Sequence, residues 1–309
     1  MESLCSLYRL IKPYWSSEEK YSAWALSVAI IALNIAMVYI GVLLNWWRKD
    51  LFDALQILDS HAFYHQLGVF SVLALLWVLT STYRTYFKQV LHIRWRRWMT
   101  EQYLNKWLEN KVYYEDFMDN PDQRIAEDLD RFTDETLTLS LGFLNAAMTL
   151  VSFSGLLWMI SPYMLLFALF YAVIGTWVTH RIGHLLVGLN FDKQRYEADF
   201  RFGLVCLREK NILKPRFIFI FDNFLTIIKR TKLLSLWTYS YSQAAIVFPY
   251  LIMAPRFFSR DIQLGDLMQT ASAFSTVETS LSYVMNSYAS IASWQSVAER
   301  LLDFEQKNN

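Results

Sequence analysis

The chain has 309 residues, 54% of them hydrophobic and 17% aromatic, while only 18% are charged. Soluble chains carry about 25% charged residues, so this composition excludes an ordinary soluble domain, and its apolar content excludes disorder. A net charge of +1 exerts no global pull on nucleic acid, and two cysteines, Cys5 and Cys206, cannot build a disulfide framework.

Residues 1–20 form an N-terminal segment ahead of the first charge-free run, 21–47, in which residues 24–44 suffice to cross about 30 Å of hydrocarbon. Signal peptides have a shorter apolar region and a small-residue cleavage site, so this run reads as a retained anchor. The second run, 66–83, is near the lower length for a span. Residues 136–179 hold no charge and divide into two spans at Ser161-Pro162, because the residue before proline disfavours helix. The fifth run is 233–255. A sixth, 267–298, is rich in Ser, Thr and Asn and contains Glu278, which suits a helix lining a wet cavity. The expectation is an all-α membrane protein with six transmembrane helices over 21–298 and a tail at 299–309.

Basic residues orient these spans. With the N-terminus in the cytoplasm, the inner segments hold 25 of the 29 Lys and Arg. Arg84, Lys88, Arg94, Arg96 and Arg97 follow the second span without an acid among them, the positive-inside signature. Trp46, Trp47, Trp95 and Trp98 stand where interfacial aromatics belong. Both termini are then cytoplasmic. The inner loops 84–135 and 180–232 are too long to be structureless and read as helical stalks. Asn120-Pro121-Asp122-Gln123 offers an N-cap, a proline at the first helical position and a Gln at the third. Lys214-Pro215 is the expected break in the second stalk.

Four segments carry a resemblance: NPDQRIAEDLDRF at 120–132, QRYEADFRFGLV at 194–205, APRFFSRDIQLGDLMQTASAF at 254–274, and residues 286–304. They resemble the transmembrane half of SbmA/BacA-like transporters, in the branch that fuses this half to an ATP-binding cassette. The resemblance implies a type IV ABC exporter-like permease fold, a homodimer with an axial cavity, and a bacterial inner (plasma) membrane location. It also implies uptake of peptides or other hydrophilic small molecules. Tyr113, Tyr114, Glu115, Asp116, Asn120 and Pro121 would form the segment that couples to a cassette. Such relatives continue into a nucleotide-binding domain beyond the segment matching 300–304, whereas this chain stops at Asn309 without a G-x-x-x-x-G-K-[ST] loop. A separate ATP-binding cassette protein is therefore the expected partner, and the chain itself is expected to be no enzyme. KNILKPRFIFIF at 210–221 departs from the polar stretch usual in relatives, which keeps a non-transporting, degenerate or interaction subunit open as an alternative.

The acids Glu127, Asp128, Asp130, Asp134 and Glu135 cluster on the helix entering span three. One reading is a solvated stalk face with Arg124 and Arg131 as neighbouring-turn partners. The other is a ladder of proton-carrying carboxylates, in which the resemblance implicates Glu127 and Glu197, and a proton-coupled secondary transporter follows from it. Asp128 and Glu278 complete the transport candidates. Gly203 and Arg208 stand where that branch carries further acids. Asn34 and Asn145 read as helix–helix hydrogen-bonding residues. His61/His65 and His180/His184 each share a helical face, but neither pair has Glu after the first His, so no metal or cofactor is expected.

Overall fold

The computed structural model describes residues 10–109, 124–202, 204 and 210–307. The expected coupling segment (Tyr113, Tyr114, Glu115, Asp116, Asn120, Pro121) lies outside the described residues, as do Cys5, Cys206, Gly203 and Arg208. The described residues form α1 (Lys20–Gln56), α2 (Ser60–Glu109), a π-helical turn (Arg124–Asp128), α3 (Leu129–Ile160), α4 (Pro162–Phe202), α5 (Lys210–Phe258), α6 (Leu264–Leu281), α7 (Tyr283–Asn286) and α8 (Tyr288–Lys307). Four stretches are long and apolar enough to cross a membrane: Lys20–Gln56, Ser60–Lys106, Ile125–Ile160 and Pro162–Leu186. The runs read as the fifth and sixth spans are helical too but are not among these four. The sixth is interrupted at Ser282 and again at Ser287, between α6, α7 and α8.

Two compact units divide the chain: Met1–Leu156 with Gln263–Asn309, and Leu157–Ile262. In the first, α1 and α2 form a hairpin closed by a Schellman turn. Leu58 takes φ 58°, Asp59 N–H donates to the Ala54 carbonyl at 3.0 Å, and Leu58 N–H donates to Leu55 at 3.2 Å. The best-packed region of this unit lies where the sequence places the cytoplasmic stalk. Tyr14, Trp95, Met99, Leu129, Phe132 and Leu301 are each no more than 1% exposed and belong to one cluster. Trp95 is therefore a core residue and not the interfacial aromatic expected from its position. It meets Phe132 edge-on at 5.8 Å and lies parallel to Tyr14 at 6.0 Å. In the apolar stretch of α2, by contrast, Val72, Leu75 and Val78 are more than half exposed. Lipid is as apolar as the side chains, so burial against protein brings little gain there.

The second unit is an antiparallel hairpin of α4 and α5. Its register is kept from end to end by Phe167–Phe248, Tyr171–Tyr241, Trp237–Thr179, Asn223–Leu189, Tyr196–Phe219 and Phe200–Phe217. Tyr171 and Tyr241 stack at 4.3 Å, and each hydroxyl donates to the other residue's carbonyl, at 2.5 and 3.1 Å. Helix α4 starts at Pro162, directly after Ser161, where the turn was expected. The expected break at Lys214-Pro215 is absent, since α5 runs through Pro215. Pro215 stands in the second turn, where it forgoes one backbone hydrogen bond of the helix.

Candidate functional site

The polar chemistry of the first unit is arranged in three levels, called outer to inner from the α1–α2 turn towards α8. The outermost is built on the QLGDL segment. Asp53 Oδ1 and Gln56 Oε1, at the end of α1, accept from the backbone N–H groups of Gly265 and Leu264 at 2.8 and 2.6 Å. Lys49 Nζ lies 2.5 Å from Asp266 Oδ1, while Asp266 Oδ2 accepts from Gln263 N–H at 3.1 Å. The orphan donors of a helix start are thus satisfied by side chains of another helix as well as by a capping box. Gly265 is required there, because a Cβ would overlap the Lys49 carbonyl and the Asp53 carboxylate.

Two adjoining cavities form the middle level. The outer, about 260 Å³, is lined by Gly41, Asn45, Arg48, Phe153, Ser272 and others; the inner, about 320 Å³, by Arg84, Gly142, Ala146, Thr279, Ser280 and Tyr283. Asn145, Thr149 and Thr276 line both. The lining residues of α6 recur every three or four positions and so share one face. Glu278 lies on the other arc of α6, with Ala271 and Phe274; it is 9% exposed and accepts from the Ser282 hydroxyl at 2.9 Å. Asn34 donates to the Leu141 carbonyl at 3.4 Å, a helix–helix bond, whereas Asn145 faces the cavities.

The innermost level is ionic. Arg300 on α8 donates from Nε and Nη2 to Asp128 Oδ2 and Oδ1, each at 2.8 Å, and Asp128 is 3% exposed. This forked bond holds the Arg300 guanidinium above its ordinary pKa. Above it, the acids of α3 meet the basic stretch of α2: Asp134 with Lys88 at 3.0 Å, and Asp130 with Arg96 at 3.0 Å and His92 at 3.2 Å. Cations of α2, whose unbroken course lays one charged stripe beside the other, are thus partners of this acidic face. Ser293 donates to Glu135 at 3.1 Å. Glu127 is exposed on the π-helical turn. Glu197 belongs to the other unit, exposed, 3.9 Å from Lys193 one turn earlier.

Sequence reasoning missed the forked Arg300–Asp128 pair and the role of Arg84 as a cavity residue. Arg300 lies inside the fourth resemblance segment, which was a usable signal. Arg84 was absorbed into the positive-inside count, and no one-dimensional signal separates it from its neighbours.

A set of long apolar helices carrying a polar groove between charged ends is the architecture of a multi-pass membrane transport protein. The SbmA/BacA-like family model matches residues 18–309, and the chain belongs to that family. It is 33% identical to "ABC transporter D family member 2, chloroplastic" of Arabidopsis thaliana, over 96% of this chain and 45% of that protein. It is 32% identical to "Inner membrane ABC transporter ATP-binding protein YddA" of Escherichia coli (strain K12), over 96% of this chain and 59% of that one. A more distant likeness, 24% over 63% of this chain and 33% of the relative, is to "Lysosomal cobalamin transporter ABCD4" of Mus musculus. The chain spans about half the length of the first two of these relatives.

Proposed function

We propose that this chain is the membrane-spanning permease part of an SbmA/BacA-like ABC-type transporter. It moves peptides or other hydrophilic solutes by alternating access, as a homodimer with six spans per protomer and both termini in the cytoplasm of a bacterium. ATP would act through an ATP-binding cassette, a module that residues 1–309 do not contain, since no G-x-x-x-x-G-K-[ST] loop occurs among them. The observation that carries this reading is the family match over nearly the whole chain, joined to a polar groove between long apolar helices. Its division into an outer clamp, a groove and an inner ion pair suits a device that opens at one end while closed at the other.

A second reading, proton-coupled transport, is favoured by one observation: Glu278 is a carboxylate buried on α6. Reconstitution in proteoliposomes separates the two. Uptake of a labelled peptide that requires ATP and a cassette protein is the expected result. Uptake driven by a pH gradient alone, and lost in Glu278→Gln, would replace the first reading by the second. Cysteine labelling of position 115 from the outside of intact cells would overturn the proposed orientation.

A further inference from the structure

Lys49, Lys88, Arg96 and Arg300 each pair with a carboxylate. Arg84 differs. It is half-buried on α2, lines the inner cavity, and has no ion pair among the described residues. Its hydrogen bond goes to Met37 Sδ at 3.4 Å. A guanidinium offers five N–H donors and a thioether is a weak acceptor, so most of this donor capacity points to something other than the protein.

Across the cavity, α6 supplies the opposite polarity. The hydroxyls of Thr276, Thr279 and Ser280 donate to carbonyls one turn back, at 2.9, 2.8 and 2.8 Å. Their oxygens are left as acceptors. In the adjoining outer cavity Asn45, 2% exposed, likewise keeps Oδ1 without a donor among the described residues. Glu278 is on the other arc of α6, so its charge is not aimed at Arg84. A planar fork of donors on one wall and a row of acceptors on the other select a ligand with an oxyanion beside N–H groups. The C-terminus of a peptide has that pattern: a carboxylate adjoining the last backbone N–H. The volume, about 320 Å³, falls within the range of about 300–1,000 Å³ usual for small-ligand sites.

We propose that the inner cavity reads a carboxylate terminus on the transported solute, with Arg84 forked onto the carboxylate and the Thr279 and Ser280 oxygens accepting from the adjoining N–H groups. This rests on the permease reading and names the chemical class of its cargo. The competing source of an oxyanion is a lipid phosphate, because an arginine at the end of a span readily reaches the headgroup level.

The test is calorimetric titration of the full chain in phosphatidylcholine nanodiscs with N-acetyl-trialanine and with its C-terminal amide. The free acid should bind at least about tenfold tighter than the amide, as expected when a forked charge-assisted pair is lost. Arg84→Gln should remove that preference while leaving the melting temperature close to that of the parent. Arg84→Lys, which keeps the charge but not the fork, should retain part of it. Equal binding of acid and amide, binding of neither, or a preference unchanged in Arg84→Gln would each overturn the proposal. So would tight binding of short-chain dihexanoyl-phosphatidylglycerol that is lost in Arg84→Gln while N-acetyl-trialanine fails to displace it, since the site would then belong to lipid phosphate. Because no ATP and no transport enter the measurement, a failure here leaves the permease reading intact, and a failure of ATP-driven uptake leaves this binding result intact.

Discussion

The two compact units are held together by different physics. In Met1–Leu156 with Gln263–Asn309, the core around Trp95 is supplemented by side chains that cap or neutralise one another between helices: Asp53 on the α6 N-terminus, Lys49 on Asp266, Arg300 on Asp128. In Leu157–Ile262, the hairpin meets mainly through rings, with Tyr171 on Tyr241 and Phe167 near Phe248. Polar locks depend on both partners being present, and losing one strands the other. Stacked rings lose area gradually and tolerate small shifts. Polar locks of this kind, either made or broken, suit the gating proposed for the unit with the groove.

The comparison breaks most severely at Arg300. Arg300→Met leaves Asp128, with a side chain 4% exposed, facing no cation. Breaking a buried pair costs about 3–5 kcal/mol; because the Arg300 side chain is itself 40% exposed, a loss near about 3 kcal/mol is expected. The melting temperature in detergent should fall by several degrees, and Asp128→Asn with Arg300→Met should recover much of it. A double variant no better than the single one would show that the pair is not what holds α8 to the π-helical turn.

The same substitution in both units sharpens the contrast. A Cβ at Gly265 overlaps backbone, the Lys49 carbonyl, as well as the Asp53 carboxylate; a Cβ at Gly175 overlaps the ring and hydroxyl of Tyr241. Overpacking costs about 1–3 kcal/mol, and replacing a mid-helix glycine returns up to about 1 kcal/mol of helix propensity. Gly265→Ala should therefore destabilise by about 2 kcal/mol, and Gly175→Ala by about 1 kcal/mol or less. Hydrogen exchange localises each effect: amides near 263–266 for the first, amides of α4 and α5 for the second. Equal losses at both sites would erase the distinction between a polar clamp and an aromatic one.

How far the sequence reveals this follows from the range of each interaction. Charge-free runs report on lipid directly, so 21–47, 66–83 and the pair split at Ser161-Pro162 correspond to helices with few errors. The QLGDL segment stands out in the sequence, yet nothing in it says that Gly265 is needed because Lys49 and Asp53 press on it. Trp95 reads as interfacial because its neighbours are basic; the cluster that buries it is assembled from residues 10–14, 129–137 and 297–301. The acids at 127–135 leave a solvated face and a proton ladder both open in the sequence, because the partners of Asp130 and Asp134 on α2 and of Asp128 and Glu135 on α8 are distant in the chain. Periodicity identifies a face, but only the folded helices decide what that face meets.

The smallest expected effect tests a feature that the two units share. Helix α1 ends with Leu58 at φ 58°, and α5 ends with Arg260 at φ 63°. Around both, the amide two residues past the helix cap reaches back five residues in the Schellman pattern: Asp59 to Ala54 at 3.0 Å and Asp261 to Arg256 at 2.9 Å. Left-handed backbone costs a residue with a Cβ about 1–2 kcal/mol, and glycine adopts it freely but loses more entropy on folding. Leu58 is 89% exposed, so removing its side chain sacrifices little packing. Leu58→Gly and Arg260→Gly should each raise stability by about 0.5–1 kcal/mol. Because the motif is local, the gain should be the same in the polar unit as in the aromatic one, read as equal rises in melting temperature. A gain at one site only would mean that the turn is coupled to the clamp beside it, with Asp53, which accepts from Ile57 N–H through its carbonyl and from Gly265 through its carboxylate, as the residue joining them.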